Sequence, residues 1–76
     1  MTIGKFIKSK IAERGMNQKE LASAAGFKNQ SNIAMLLKND AKMRTENLMA
    51  MLEALDCELC VMDKQTGEIR ALSIEE

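Results

Sequence analysis

Residues 17–37, "NQKELASAAGFKNQSNIAMLL", contain two short helix-forming stretches separated by a few residues around a single glycine, and this arrangement restricts the possible folds. Asn17 is a favourable N-cap, and Glu20 stands three residues later, where each side chain can bond the other's free backbone N–H. These signals predict a helix over residues 18–25. Gly26 then supplies the left-handed backbone that commonly ends a helix. The pattern indicates a small domain built on a tight helix pair.

The second helix of the pair is predicted over residues 30–37, with Asn29 as its N-cap. Its apolar stripe consists of Ile33, Leu36 and Leu37, which are expected to face the core. Counting 100° per residue, the outward side carries Ser31, Ala34, Met35 and Lys38, flanked by Gln30 and Asn32. A helix that only meets solvent would favour Glu and Lys, whereas only one of these six residues is charged. The outward side therefore indicates contact with a partner.

Two further helices flank the pair. Residues 2–14 form an amphipathic helix in this prediction, ended by Gly15, because four apolar residues recur at helical spacing: Ile3, Phe6, Ile7 and Ile11. The stretch "KNDAKMR" has no periodicity and is interpreted as a loop. Thr45 is expected to cap a fourth helix. The apolar side of that helix consists of Leu48, Met51, Leu52 and Leu55.

After Asp56 the pattern changes to two short β-rich runs, "CELCVMD" and "EIRALSI", separated by the turn-forming "KQTG". These features predict a two-stranded hairpin. An isolated hairpin is marginal in water and exposes sheet edges, so it needs a further partner. We expect the same hairpin of a second chain to be that partner; the alternative is a hairpin folded back on its own helices. The residues expected in the dimer contact are Leu59, Val61, Ile69 and Leu72.

The predicted fold class is mainly α, with one domain over residues 1–76: a four-helix helix-turn-helix body (1–56) and a β-hairpin dimerisation element (57–76). A chain of 76 residues buries only one small core, so support from a second subunit is expected. Histidine is absent, and Cys57 and Cys60 are too few for a closed zinc site. No metal, cofactor or enzymatic activity is expected, because no nucleophile, base and orienting group come together.

The two cysteines are interpreted as free thiols in a reducing cytosol. No apolar run approaches the ~18 residues of a membrane span. We therefore expect a cytoplasmic protein without a membrane partner.

The net charge is zero, but the two halves of the chain carry opposite charges. Residues 1–44 contain nine basic and three acidic side chains, a net charge of +6, and residues 45–76 contain two basic and eight acidic ones, a net charge of −6. A domain of this kind can present its basic end to a polyanion while its acidic end turns away. Unpatterned surface charge is the alternative interpretation.

The outward residues of the second helix suit double-stranded DNA. Amide side chains such as Gln30 and Asn32 can pair bidentately with adenine, and Met35 can contact a thymine methyl group. The hydroxyl of Ser31 can hydrogen-bond to a donor or an acceptor group of a base. These four are the predicted base readers. Phosphate contacts, which position a protein without reading sequence, are assigned to the nearby basic residues Lys28, Lys38, Lys42 and Arg44.

Residues 17–55 resemble the phage-repressor or Cro-like helix-turn-helix family, often called XRE. The matching residues are Asn17 and Gln18, Leu21 and Ala22, Gly26 in the turn, Gln30 and Ser31, and Ile33 with Leu36. The resemblance implies that Ala22 lets the two helices cross closely and that Gln18 binds a phosphate. It also implies phosphate contacts for Lys42 and Arg44. Some repressors and antitoxins are similar to this chain in adding terminal strands that join two subunits.

Ile33 stands one residue further from Gly26 than is usual in the family. The start of the second helix is therefore open, and so is the choice of base readers among Asn29, Gln30, Ser31 and Asn32.

The predicted function is a sequence-specific transcriptional regulator, most simply a homodimeric repressor on a palindromic operator with half-sites roughly 10 bp apart. One alternative is an antitoxin that binds DNA and also holds a toxin protein. Another is a protein-interaction module, whose binding would not respond steeply to salt.

Overall fold

The computed structural model describes residues 1–28 and 33–74. In this part of the chain four α-helices precede an antiparallel hairpin, which confirms the predicted fold class. The elements are α1 (Ile3–Glu13), α2 (Gln18–Ala24), α3 (Ile33–Lys38), a 3₁₀ turn (Asp40–Lys42), α4 (Thr45–Ala54), β1 (Leu59–Met62) and β2 (Ile69–Leu72). The predicted cap Asn29 and the predicted start of the second helix at Gln30 lie outside the described residues.

The entry and exit of α2 follow the local sequence signals. Asn17 Oδ1 accepts a hydrogen bond from the Glu20 N–H at 2.8 Å, and Glu20 Oε1 accepts one from the Asn17 N–H at 3.1 Å. At the other end Gly26 has a φ of 82°, and the Phe27 N–H donates to the Ala22 carbonyl at 2.9 Å. The capping box and the glycine turn are both confirmed, because their hydrogen bonds join residues close in sequence.

The start of α4 corrects the prediction for Thr45. The Arg44 carbonyl accepts hydrogen bonds from the Asn47 and Leu48 N–H groups, which makes Arg44 the N-cap residue and Thr45 the first residue of the helix. No side chain caps this helix start. The preceding loop also contains the 3₁₀ turn, which the absence of apolar periodicity did not reveal.

All four helices contribute to one core. The fully buried cluster consists of Ile7 and Ile11 of α1, Leu21 and Ala22 of α2, Ile33 and Leu37 of α3, and Met51 and Leu55 at α4. The predicted apolar stripes are therefore confirmed in their central positions. Predicted stripe positions outside this core include Ile3, which is 43% exposed at the first turn of α1, and Leu36 of α3, which is only half-buried.

The contact between α1 and the end of α3 depends on Gly4. Gly4 is buried, and a Cβ atom at this position would overlap the carbonyl oxygen of Leu37. The Gly4 N–H donates to Asp40 Oδ2 at 2.8 Å, so a carboxylate from the 3₁₀ turn binds the N-terminus of α1. The absence of a side chain at Gly4 thus lets the turn after α3 lie directly against α1.

The hairpin is paired as Leu59↔Leu72, Cys60↔Ala71, Val61↔Arg70 and Met62↔Ile69. Side chains opposite each other in an antiparallel ladder share a face. One face therefore carries Cys60, Met62, Ile69 and Ala71, and the other carries Leu59, Val61, Arg70 and Leu72. Of the residues that the structure describes, none in either strand belongs to the buried core.

Candidate nucleic-acid interface

The described part of α3 has one buried and one exposed side. Ile33 and Leu37 are 2% and 4% exposed, whereas Met35 is 61% exposed and Ala34 and Lys38 are also exposed. This division matches the stripe predicted from helical spacing. The exposed side of α3 is therefore accessible to a partner.

Among the predicted base readers, the structure describes Met35 alone. Gln30, Ser31 and Asn32 lie outside the described residues, so their assignment as base readers stays a prediction. Met35 lies two residues after Ile33 on the exposed side of α3. This position agrees with the predicted contact to a thymine methyl group in the major groove of DNA.

The predicted phosphate-contacting cations are all exposed: Lys28, Lys38, Lys42 and Arg44. They lie before α3, at its last residue, in the 3₁₀ turn and before α4. Gln18, the first residue of α2, is half-buried. The Arg44 guanidinium is 3.4 Å from a carboxylate oxygen of Glu46, but both side chains are largely exposed. Such a surface pair is weak and leaves the arginine able to turn toward a phosphate.

The hydrogen bond from Gly4 to Asp40 gives this surface a fixed support. Asp40 and Lys42 belong to the same 3₁₀ turn, which directly follows α3. By binding the N-terminus of α1, the Asp40 carboxylate holds the turn that carries Lys42. The sequence alone predicts no role for Gly4 or Asp40. The available signal was a glycine inside an otherwise helical apolar pattern, which often marks close packing.

Not every basic residue of the first half is available to a polyanion. Arg14 donates two hydrogen bonds to the Leu55 carbonyl, at 3.2 and 3.0 Å, and so joins α1 to the end of α4. Lys10 Nζ lies 2.8 Å from Glu13 Oε2 and 5.8 Å from the ring centroid of Phe6. The hydrogen bond from Lys10 and its positive charge lower the pKa of the Glu13 carboxyl group. The net charge of +6 on residues 1–44 therefore overstates the number of cations available to a polyanion.

Within residues 1–28 and 33–74, no group of three or more acidic or cysteine side chains is placed to hold a metal ion. Every helix in the same ranges is too short or too polar to span a bilayer.

Comparison with known proteins agrees with this geometry. The sequence model of a family described as helix-turn-helix matches residues 7–61, which cover most of the chain and extend from α1 into β1. No curated protein and no solved structure matches the chain. The chain therefore belongs to the XRE-type helix-turn-helix family of DNA-binding transcriptional regulators.

Proposed function

We propose that this protein is a homodimeric repressor that reads an inverted repeat in DNA through residues 30–37. The observation that carries the proposal is the exposed side of α3, where Met35 and Lys38 face outward while Ile33 and Leu37 hold the helix in the core. A recognition helix in the major groove needs this combination of a rigid inner side and a free outer side.

Positioning on the duplex is assigned to the exposed cations around α3. Lys28 and Lys38 stand before and at the end of this helix, and Lys42 and Arg44 follow it. Together with Gln18 they contact backbone phosphates in the proposed complex, which supplies affinity independent of base sequence. Repression follows when the bound protein occludes a promoter.

Dimerisation is assigned to the hairpin, whose strand side chains are almost all exposed. A twofold interface brings the same patch together from both subunits, so a patch without charge is favoured. The face with Met62 and Ile69 meets this condition, whereas two copies of the opposite face would bring their Arg70 side chains near each other. Of the four residues predicted in the contact, Ile69 lies on the uncharged face and Leu59, Val61 and Leu72 lie on the other.

Selection of bound oligonucleotides from a random pool tests this function. We expect an enriched inverted repeat whose half-site centres are roughly 10 bp apart, because two recognition helices related by a twofold axis meet successive turns of DNA. Enrichment of one unrepeated site would contradict the dimer, and a pool without enrichment would contradict sequence-specific reading.

Gln30→Ala tests the reading residues on the selected site. Loss of a bidentate contact to a base should weaken binding to that site by about 1–3 kcal/mol and leave binding to random DNA nearly unchanged. Gln65→Ala, in the hairpin turn, is the matched control and should bind both DNAs as the parent does. Equal losses on both DNAs would remove Gln30 from the base readers.

A further inference from the structure

A groove of about 720 Å³ lies between α4 and the hairpin. Five residues of α4 line it: Glu46, Met49, Ala50, Leu52 and Glu53. Four of them recur at positions i, i+3, i+4 and i+7 and differ from the core residues Met51 and Leu55, whereas Leu52 is itself buried. Helix α4 thus has a second side on which Glu46 and Glu53 remain exposed.

Apolar residues of the hairpin and of the segment after it also line this α4–hairpin groove. Leu59 and Leu72 approach it from the sheet, and Ile74 follows from the segment after β2. Leu72 and Ile74 are 46% and 47% exposed. A concave apolar surface that stays open to water favours occupation by another molecule.

The rim of the groove is acidic. Glu46, Glu53 and Glu58 line it, and the lining residues include no lysine or arginine. Glu46 has the weak contact with Arg44 described above, whereas Glu53 and Glu58 form no ion pair within the described part of the chain. The groove therefore combines apolar lining residues with carboxylates that a cationic partner can neutralise.

We propose that the α4–hairpin groove binds a positively charged amphipathic helix of a partner protein. The apolar stripe of such a helix fits the strip between α4 and the sheet, in the manner of other helices bound in grooves. Its lysine or arginine side chains then meet the three glutamates, and this complementarity selects the partner.

A second copy of this chain is a poorer occupant. Contact about a twofold axis through the groove would bring six glutamates together, three from each subunit, and like charges across an interface are unfavourable. The uncharged hairpin face proposed for the dimer lies on the other side of the sheet from Leu59 and Leu72. Among the described lining residues, Ala71 alone belongs to the uncharged face, so most of the groove stays open in the proposed dimer. Its occupation does not depend on DNA binding.

The probe for this proposal is a labelled synthetic helix of about 18 residues, long enough to be helical when bound, with leucines at helical spacing and lysines elsewhere. Binding to the full chain is measured by fluorescence anisotropy. A peptide of the same composition in scrambled order should bind at least tenfold more weakly, because it presents no apolar stripe. Equal affinity for both peptides would overturn the proposal, since charge alone would then account for binding.

The variant E53Q/E58Q removes two rim charges and should weaken binding of the patterned peptide about tenfold at low salt. E68Q removes one charge from the same hairpin outside the groove lining and should change the affinity less than twofold. Circular dichroism of each variant reports whether the helical content is retained. Unchanged affinity of a folded E53Q/E58Q variant would overturn the assignment of the rim.

Methyl NMR of the full chain locates the peptide. Shifts are expected at Leu59, Leu72 and Ile74, and shifts confined to Ile33 and Leu37 would place the peptide on the DNA-binding body instead. Sedimentation with and without peptide should give the same oligomeric state. Dissociation of the dimer by the peptide would show that a second copy occupies the groove and would overturn the proposal.

Discussion

The helical body and the hairpin of this protein use apolar residues in opposite ways. In the body, each helix directs its apolar stripe inward, and residues such as Ile7, Leu21 and Met51 are fully buried. In the hairpin, Met62 and Ile69 are 57% and 64% exposed, although they are as apolar as core residues. The body therefore buries its own apolar side chains, whereas most apolar side chains of the hairpin strands remain exposed in the described chain.

The hairpin and the body also differ in how they are stabilised. A two-stranded sheet without a covering layer is marginal in water, so the hairpin depends on its connection to the body. That connection is local: Asp56 has a φ of 57°, and the Cys57 N–H donates to the Leu52 carbonyl at 2.8 Å. The body contains the buried core and the helix-turn-helix, and the hairpin leaves apolar surface exposed.

Gly4→Ala tests the close packing of the body and has the largest expected effect. The added Cβ overlaps the Leu37 carbonyl oxygen, so α1 must move away from α3, at a cost of about 3 kcal/mol in the free energy of unfolding. Chemical denaturation gives this value. Ser9→Ala, at an exposed position of the same helix, is the control and should change stability by less than about 0.5 kcal/mol. Similar stability of both variants would show that the two helices do not meet this tightly.

Ile69→Lys tests the uncharged face of the hairpin as the dimer contact. A lysine buried there without a partner should raise the dissociation constant of the dimer about 100-fold in analytical ultracentrifugation. Val61→Lys adds the same charge to the opposite face and should leave the dimer nearly intact. The reverse ranking would assign the contact to the face with Arg70, and two unaffected dimers would locate the interface elsewhere.

Arg14→Ala compares a structural cation of the body with a surface cation of the hairpin. The variant loses both hydrogen bonds to the Leu55 carbonyl and should lower the free energy of unfolding by about 1 kcal/mol. Arg70 forms an exposed ion pair with Glu68 at 3.0 Å, and Arg70→Ala should cost less than about 0.5 kcal/mol. If both substitutions lower the free energy of unfolding equally, the hydrogen bonds from Arg14 to the Leu55 carbonyl stabilise the body no more than an exposed ion pair does.

Lys42→Ala has the smallest expected effect. Loss of one phosphate contact should weaken all DNA sequences alike and lower the slope of log affinity against log salt by about one. Lys64→Ala removes the same charge from the hairpin turn and should leave the slope unchanged. A slope that responds to Lys64 but not to Lys42 would place the DNA on the hairpin instead of the body.

Much of the fold could be predicted because its signals are local. The capping box of Asn17 and Glu20 and the turn at Gly26 depend on hydrogen bonds between residues at most a few positions apart. The apolar stripes likewise follow from helical spacing alone. The prediction for Thr45 was wrong by one residue, because capping preference does not decide which carbonyl accepts the first helical hydrogen bond.

The assignment of base-reading and phosphate-contacting residues stays a prediction, and the contacts that support the surface around α3 could not be predicted. Periodicity and composition were enough to specify the four helices, the hairpin and a cationic first half. The three-dimensional packing was needed to show that Asp40 binds the N–H of Gly4, 36 positions away, and that Arg14 binds the Leu55 carbonyl, 41 positions away. It also decided which residues of α4 and the hairpin enclose an acidic groove. Such contacts arise when packed helices bring residues that are far apart in sequence close together in space. No pattern within one segment specifies which of these residues will meet.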